Sequence, residues 1–157
     1  NDMVCGIFSK INLSYVKINF GSVKLQIFQQ KEVNVKMGKK IMLVDDSKLV
    51  CMQIKQILSK TEYEVVACCT SGEDALNTYP QAQPDLITMD IIMPGMDGLE
   101  TASILKTEHP EVKIIMLSSL AYDDTFKEAE RIGAEAFVPK PLDPNELLAA
   151  IETALAN

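Results

Sequence analysis

From residue 39 onward the chain alternates between two kinds of hydrophobic pattern. Short continuous apolar runs recur at residues 41–44, 65–69, 86–89, 114–117 and 136–138. Runs of this length without polar alternation suit strands covered on both faces, as in a parallel sheet. Between them, apolar residues fall at helical spacing: Ile54, Ile57 and Leu58, then Ala102 and Leu105, then Leu147, Leu148, Ile151 and Leu155. Helix starts are legible as well. Asp143-Pro144-Asn145-Glu146 offers a capping acid, a proline at the first helical position and a glutamate at the third. Ser71-Gly72-Glu73-Asp74 and Asp97-Gly98-Leu99-Glu100 open in a similar way, and Gly133 suits the left-handed residue that closes a helix. Five strands alternating with helices predict an α/β domain with a doubly wound, five-stranded parallel sheet. The last helical stretch runs out at Asn157, so no second, output domain is expected.

Residues 1–36 have a different grammar. Residues 15–20, 23–28 and 33–36 alternate apolar and polar positions, with Gly21-Ser22 as a turn, which suits short half-exposed strands. This piece reads either as a docking or dimerisation arm or as a non-native leader. The second reading is favoured by Met37-Gly38-Lys39-Lys40, which looks like a start just before the first core strand. The predicted organisation is an extension at 1–37 and a domain at 38–157. Charge breaks at the same place. Five lysines against Asp2 and Glu32 leave residues 1–36 at +3, so a total of −7 puts −10 on the remainder.

Composition narrows the function classes. A net negative charge argues against nucleic acid as the main partner. No apolar run approaches the ~20 residues of a membrane span, and a cytoplasmic protein is expected. Cys5, Cys51, Cys68 and Cys69 form no C-x-x-C pair, and the adjacent Cys68 and Cys69 are expected to be small buried apolar residues. His109, the single histidine, lies in a turn-like Glu-His-Pro and is expected at the surface.

The chemistry lies just beyond the ends of four of the five apolar runs. After the first come Asp45-Asp46, after the third Asp90, after the fourth Ser118, and after the fifth, beyond Pro139, Lys140. Steps of 44, 28 and 22 residues separate Asp46, Asp90, Ser118 and Lys140. A strand-helix unit takes roughly 20–30 residues, so the steps count as two, one and one unit. All these side chains are therefore predicted at the carboxyl edge of the sheet, where open parallel sheets bind ligands. Singly, each has an ordinary reading: a helix cap for the acids, a turn for Ser118, a solvated charge for Lys140. The coordinated set after four strands outweighs those readings. Three carboxylates within ~5 Å repel by about 3 kcal/mol per pair at an effective dielectric near 20. That is roughly 10 kcal/mol in all, comparable with the stability of a domain. One lysine cannot offset it, whereas a divalent cation can, and an all-oxygen donor set suits Mg²⁺. A carboxylate beside Mg²⁺ can attack phosphorus to form an aspartyl phosphate.

Val44-Asp45-Asp46-Ser47, the segment Met89-Asp90-Ile91-Ile92-Met93-Pro94-Gly95-Met96-Asp97-Gly98, and Val138-Pro139-Lys140-Pro141 resemble the signature segments of response-regulator receiver domains, most nearly the single-domain, CheY-like type. The resemblance runs from about Lys39 to Asn157. It implies the flavodoxin-like (CheY-like) receiver fold, with Asp90 as phosphoacceptor. It implies Mg²⁺ bound by Asp46, Asp45, Asp90 and the backbone carbonyl of Ile92, with Asp45 acting partly through water. Lys140 would pair with the phosphoryl group, and the Lys140-Pro141 bond would be cis, fixing the lysine's loop. Ser118 would draw towards the phosphoryl oxygen, and Phe137 would turn inward as the switch aromatic, although by itself an aromatic on a short strand is an ordinary core residue. Met89, Met93 and Met96 are expected to be packing residues.

The implied function is a single-domain regulator of a two-component phosphorelay, charged by a sensor histidine kinase, with chemotaxis among its settings. Its output would be a protein docking on the fourth helix, fifth strand and fifth helix, where Tyr122, Phe126, Phe137 and Leu142 are candidate lining residues. It would be no enzyme beyond its own phosphorylation and dephosphorylation. The alternative is a haloacid-dehalogenase-like phosphatase with an aspartate nucleophile. That class, however, expects D-x-D on the first strand, whereas here the acids are adjacent and the nucleophile is on the third. In the family, the residues two after the phosphorylated aspartate and two after the switch hydroxyl influence hydrolysis. Here they are Ile92 and Leu120, neither of which hydrogen-bonds water, so slow self-dephosphorylation is expected.

Overall fold

The computed structural model describes residues 38–119 and 123–156. The expected extension of residues 1–37, Leu120 and Tyr122 lie outside them. The described elements run β1 (Lys40–Val44), α1 (Lys48–Leu58), β2 (Glu64–Cys69), α2 (Gly72–Ala82), β3 (Leu86–Asp90), α3 (Gly98–Glu108), β4 (Lys113–Ser118), α4 (Asp123–Ile132), β5 (Ala136–Pro139) and α5 (Pro144–Ala156). All strands pair in parallel, in the order β2-β1-β3-β4-β5. The predicted α/β, doubly wound architecture is the one observed.

Alternating residues of each strand divide between two apolar layers. Met42, Val44, Ile87, Met89, Ile114 and Met116 face α2, α3 and α4, where Ala75, Tyr79, Ala102, Leu105 and Ala129 meet them. Ile41, Leu43, Leu86, Ile115, Leu117 and Val138 face α1 and α5, against Ile54, Leu58, Leu147 and Ile151. Burial on both faces explains why β1, β3 and β4 read as unbroken apolar runs. Most strands extend a residue beyond those runs, because backbone pairing continues into the polar positions at the edges.

The helix starts behave as their sequences suggest. Ser47, Ser71 and Asp97 cap α1, α2 and α3, accepting from the backbone N–H of Val50, Asp74 and Glu100. Asp143 Oδ1 accepts from Asn145 and Glu146 at the head of α5. Gly133 adopts φ 89° after α4.

Three expectations need correction. Cys69 is buried, but Cys68 is exposed, because β2 is an edge strand flanked by one neighbour. Leu142 does not line a surface: at 7% exposure it joins the layer beneath α1 and α5. His109 is half-buried, with its ring 4.3 Å from that of Tyr79, since the end of α3 leans on α2. Among the described residues, no helix is long and apolar enough to cross a membrane.

Candidate functional site

The carboxyl edge of the sheet gathers the polar residues at the ends of its strands. Val44 and Met89 are partners in the β1–β3 ladder, so Asp45 and Asp90, one step further on, stand at the same height. Asp46 is the next residue. One carboxylate oxygen from each of Asp45, Asp46 and Asp90 lies within 4.8 Å of the others. Asp45 and Asp90 are buried, at 1% and 4% exposure, whereas Asp46 faces solvent. The cluster thus has a dry floor and one open side.

Lys140 arrives from β5 and spans the end of β4. Its Nζ stands 2.7 Å from Asp45 Oδ2 and 3.0 Å from Asp90 Oδ1. The lysine is fixed by its own backbone, because its N–H donates to the Ser118 carbonyl at 2.7 Å. The Lys140–Pro141 peptide is cis. Ile91 N–H donates to the Leu117 carbonyl at 3.0 Å, tying the β3–α3 loop to β4. Asp45 is engaged at both oxygens, since Oδ1 accepts the Ser47 N–H at 2.8 Å.

Burial pushes the Asp90 carboxyl up from the ordinary aspartate range, with the neighbouring Asp45 charge adding to it. Lys140 and the Ile92 N–H pull the other way. Burial works to lower the Lys140 ammonium, but hydrogen bonds and charge from Asp45 and Asp90 together outweigh it and hold the group above its usual value. Three acids against one ammonium leave a deficit of about two positive charges. Hard oxygen donors, with neither thiol nor imidazole in the cluster, fit a small divalent cation such as Mg²⁺.

Around this centre, Ser118 ends β4 at 1% exposure. The Ile92 side chain is half exposed, at 51%. Phe137 is part-buried on β5 and meets Phe126 of α4 edge-to-face, with ring centroids 5.8 Å apart. Phe126 itself is 52% exposed. Met89 and Met93 are buried and Met96 is half-buried, so the methionines of this segment pack.

Two residues at helix starts, to which the sequence reading gives no site role, also bear on the site. A Cβ on Gly98 would overlap the Asp90 carbonyl, so the α3 start must be glycine for the backbone to pass the acid. Glu73, in the first turn of α2, reaches across to accept the Met96 N–H at 3.3 Å. Gly98 could have been found from its place directly after Asp97 in the segment that begins at Met89. A contact across 23 residues, like that of Glu73, leaves no local signal.

Comparison with known proteins gives a consistent picture. The family described as response regulator receiver domain matches residues 41–152. The chain is 36% identical over 115 residues to the chemotaxis protein CheY of Thermotoga maritima, covering 73% of this chain and 96% of that one. It is 38% identical over 119 residues to CheY of Bacillus subtilis, covering 76% and 99%. Among solved structures, it superimposes with a TM-score of 0.73 at 28% identity on a chain of the CheX-CheY-BeF3-Mg²⁺ complex from Borrelia burgdorferi, covering 76% and 90%. The response regulator domain of Thermotoga maritima CheB gives a TM-score of 0.71 at 31% identity, covering 76% and 98%.

Proposed function

Since the chain belongs to the response regulator receiver domain family, a family of two-component signalling switches, we propose that it is a phosphorylation-controlled switch whose phosphoacceptor is Asp90. The observation that carries this reading is the buried Asp90 carboxylate, set among Asp45, Asp46 and Lys140 at the open edge of the sheet. The donor is the phosphohistidine of a sensor kinase. An Asp90 oxygen forms a bond to phosphorus as the P–N bond breaks, and the departing imidazole takes up a proton from solvent.

Asp46 and Asp90, with the Ile92 carbonyl and a more remote Asp45, would hold Mg²⁺. When bound, the ion supplies positive charge to the phosphoryl oxygens. Lys140 is already aimed at Asp90 and neutralises a phosphoryl oxygen without reorganising, which is why it costs little at the moment of transfer. The Ser118 hydroxyl donates to another phosphoryl oxygen. Its movement makes room for Phe137 to turn inward, and this alters the α4–β5–α5 face on which a downstream protein docks. A cytoplasmic, single-domain regulator of the chemotaxis kind is the setting that goes with this reading.

Beryllofluoride with Mg²⁺ stands in for the phosphoryl group and tests the switch. Amide chemical shifts should move at Ser118, Phe137 and along α4 as well as around Asp90. Shifts confined to the residues next to Asp90 would contradict the switch reading.

A further inference from the structure

The loop from Ile91 to Asp97 joins β3 to α3 and, in the receiver reading, carries one metal ligand on its backbone. Its ends are closed on each other, with Gly98 N–H donating to the Ile91 carbonyl at 2.9 Å. Its inner side is pinned by the buried side chains of Ile91 and Met93. Its outer side bulges through Pro94 and Gly95, both exposed, with Gly95 at φ 78°. The next residue's N–H, that of Met96, is directed to α2, where Glu73 accepts it.

The contact is embedded in a wider seam. A Cβ on Gly95 would come 3.2 Å from Glu73 Oε1, so the two segments approach closely along that side. One residue before Glu73, Gly72 lies against the Met96 side chain and the Thr101 hydroxyl, and a Cβ there would overlap Thr101 Oγ1. The first turn of α2 therefore grips both the loop and the head of α3. Hydrogen bonds from its own backbone and from Met96 hold the Glu73 carboxyl below the ordinary glutamate range, so it is an acceptor at neutral pH.

We propose that Glu73 is a positioning residue for the metal site: by holding the Met96 N–H it sets the β3–α3 loop so that the Ile92 carbonyl faces the cation. The proposal rests on the receiver reading. It places a determinant of Mg²⁺ affinity on α2, an element that contributes no ligand. Groups that orient ligands can alter metal affinity without touching the metal.

Calorimetric titration with Mg²⁺ tests this on the full chain, comparing the parent with Glu73→Ala and Glu73→Gln. The alanine variant should bind Mg²⁺ more weakly by roughly two- to tenfold, the range of one lost hydrogen bond. Its phosphorylation rate at saturating Mg²⁺ should stay near that of the parent. The glutamine variant removes the charge but keeps an accepting oxygen, and should bind nearly as the parent does. Parent-like Mg²⁺ affinity in Glu73→Ala would overturn the proposal. So would a glutamine variant as weak as the alanine one, because a general charge effect would then account for the loss. A parent that binds no Mg²⁺ would overturn the receiver reading itself, and this proposal with it.

Discussion

Lys140 and Asp90 show how single residues set the energetics of the site. Lys140 is the counter-charge of two buried carboxylates, and removing one partner of a buried ion pair leaves the other unpaired in a poor solvent. Lys140→Ala should therefore destabilise the metal-free protein by about 3–5 kcal/mol, with part of the loss restored by Mg²⁺ through its binding to the folded state. Asp90→Asn should move the other way. A carboxyl whose folded pKa is raised contributes stability at low pH and loses that contribution as pH rises through the folded value, so at neutral pH the neutral amide relieves the cost. Urea unfolding at neutral pH, with and without Mg²⁺, measures both; a destabilised asparagine variant or an unaffected alanine variant would be inconsistent with these signs. Ile92 is the residue expected to bear on the lifetime of a phosphate at Asp90. Its exposed apolar side chain lies two residues beyond Asp90 and offers no hydrogen bond to an attacking water. Ile92→Asn and Leu120→Glu variants should both lose phosphate faster than the parent in a dephosphorylation time course, and failure of both to do so would rule out these side chains as the source of a long-lived phosphate.

At the scale of elements, the junction of β3 and α3 is the most constrained. Gly98 passes so close to the Asp90 carbonyl that an added methyl group would overlap backbone. Gly98→Ala should cost about 1–3 kcal/mol, the usual cost of overpacking, and weaken Mg²⁺ binding, both readable by thermal melts with and without the ion. Undiminished stability would show that the close approach relaxes freely. The strands and the heads of α2, α3 and α5 were legible in the sequence because their signals are local: apolar runs, capping residues, a proline at a first helical position. The end of α2 was not. Pro80 sits inside that helix, and it closes on Gln83 at φ 42° rather than on a glycine, so tertiary packing overrides the usual stop signals. Leu142 was misplaced for a related reason. Its position after Pro141 reads as loop, yet α5 draws it into the layer shared with Val138 and Leu147. Exposure at Cys68 depends on strand order, which a run of apolar residues does not encode.

For the whole molecule, one sheet edge concentrates the chemistry. The acid pair, Asp90, Ser118 and Lys140 were all legible from spacing, because a regular strand-helix repeat puts every strand end on that edge. Their mutual distances were not, since those depend on ladder register and on the Lys140 loop. The resulting cluster carries more negative than positive charge, so in the proposed function a gain of phosphate is expected to depend on a divalent cation. Labelling with a small phosphodonor such as acetyl phosphate, with peptide mapping of the product, tests this most directly. At most one phosphoryl group per chain is expected, located on Asp90, formed with Mg²⁺, absent after chelation and absent in Asp90→Asn. Label on another residue, label without a divalent ion, or repeated turnover of phosphoesters in place of stoichiometric labelling would contradict a phosphoaccepting role for Asp90.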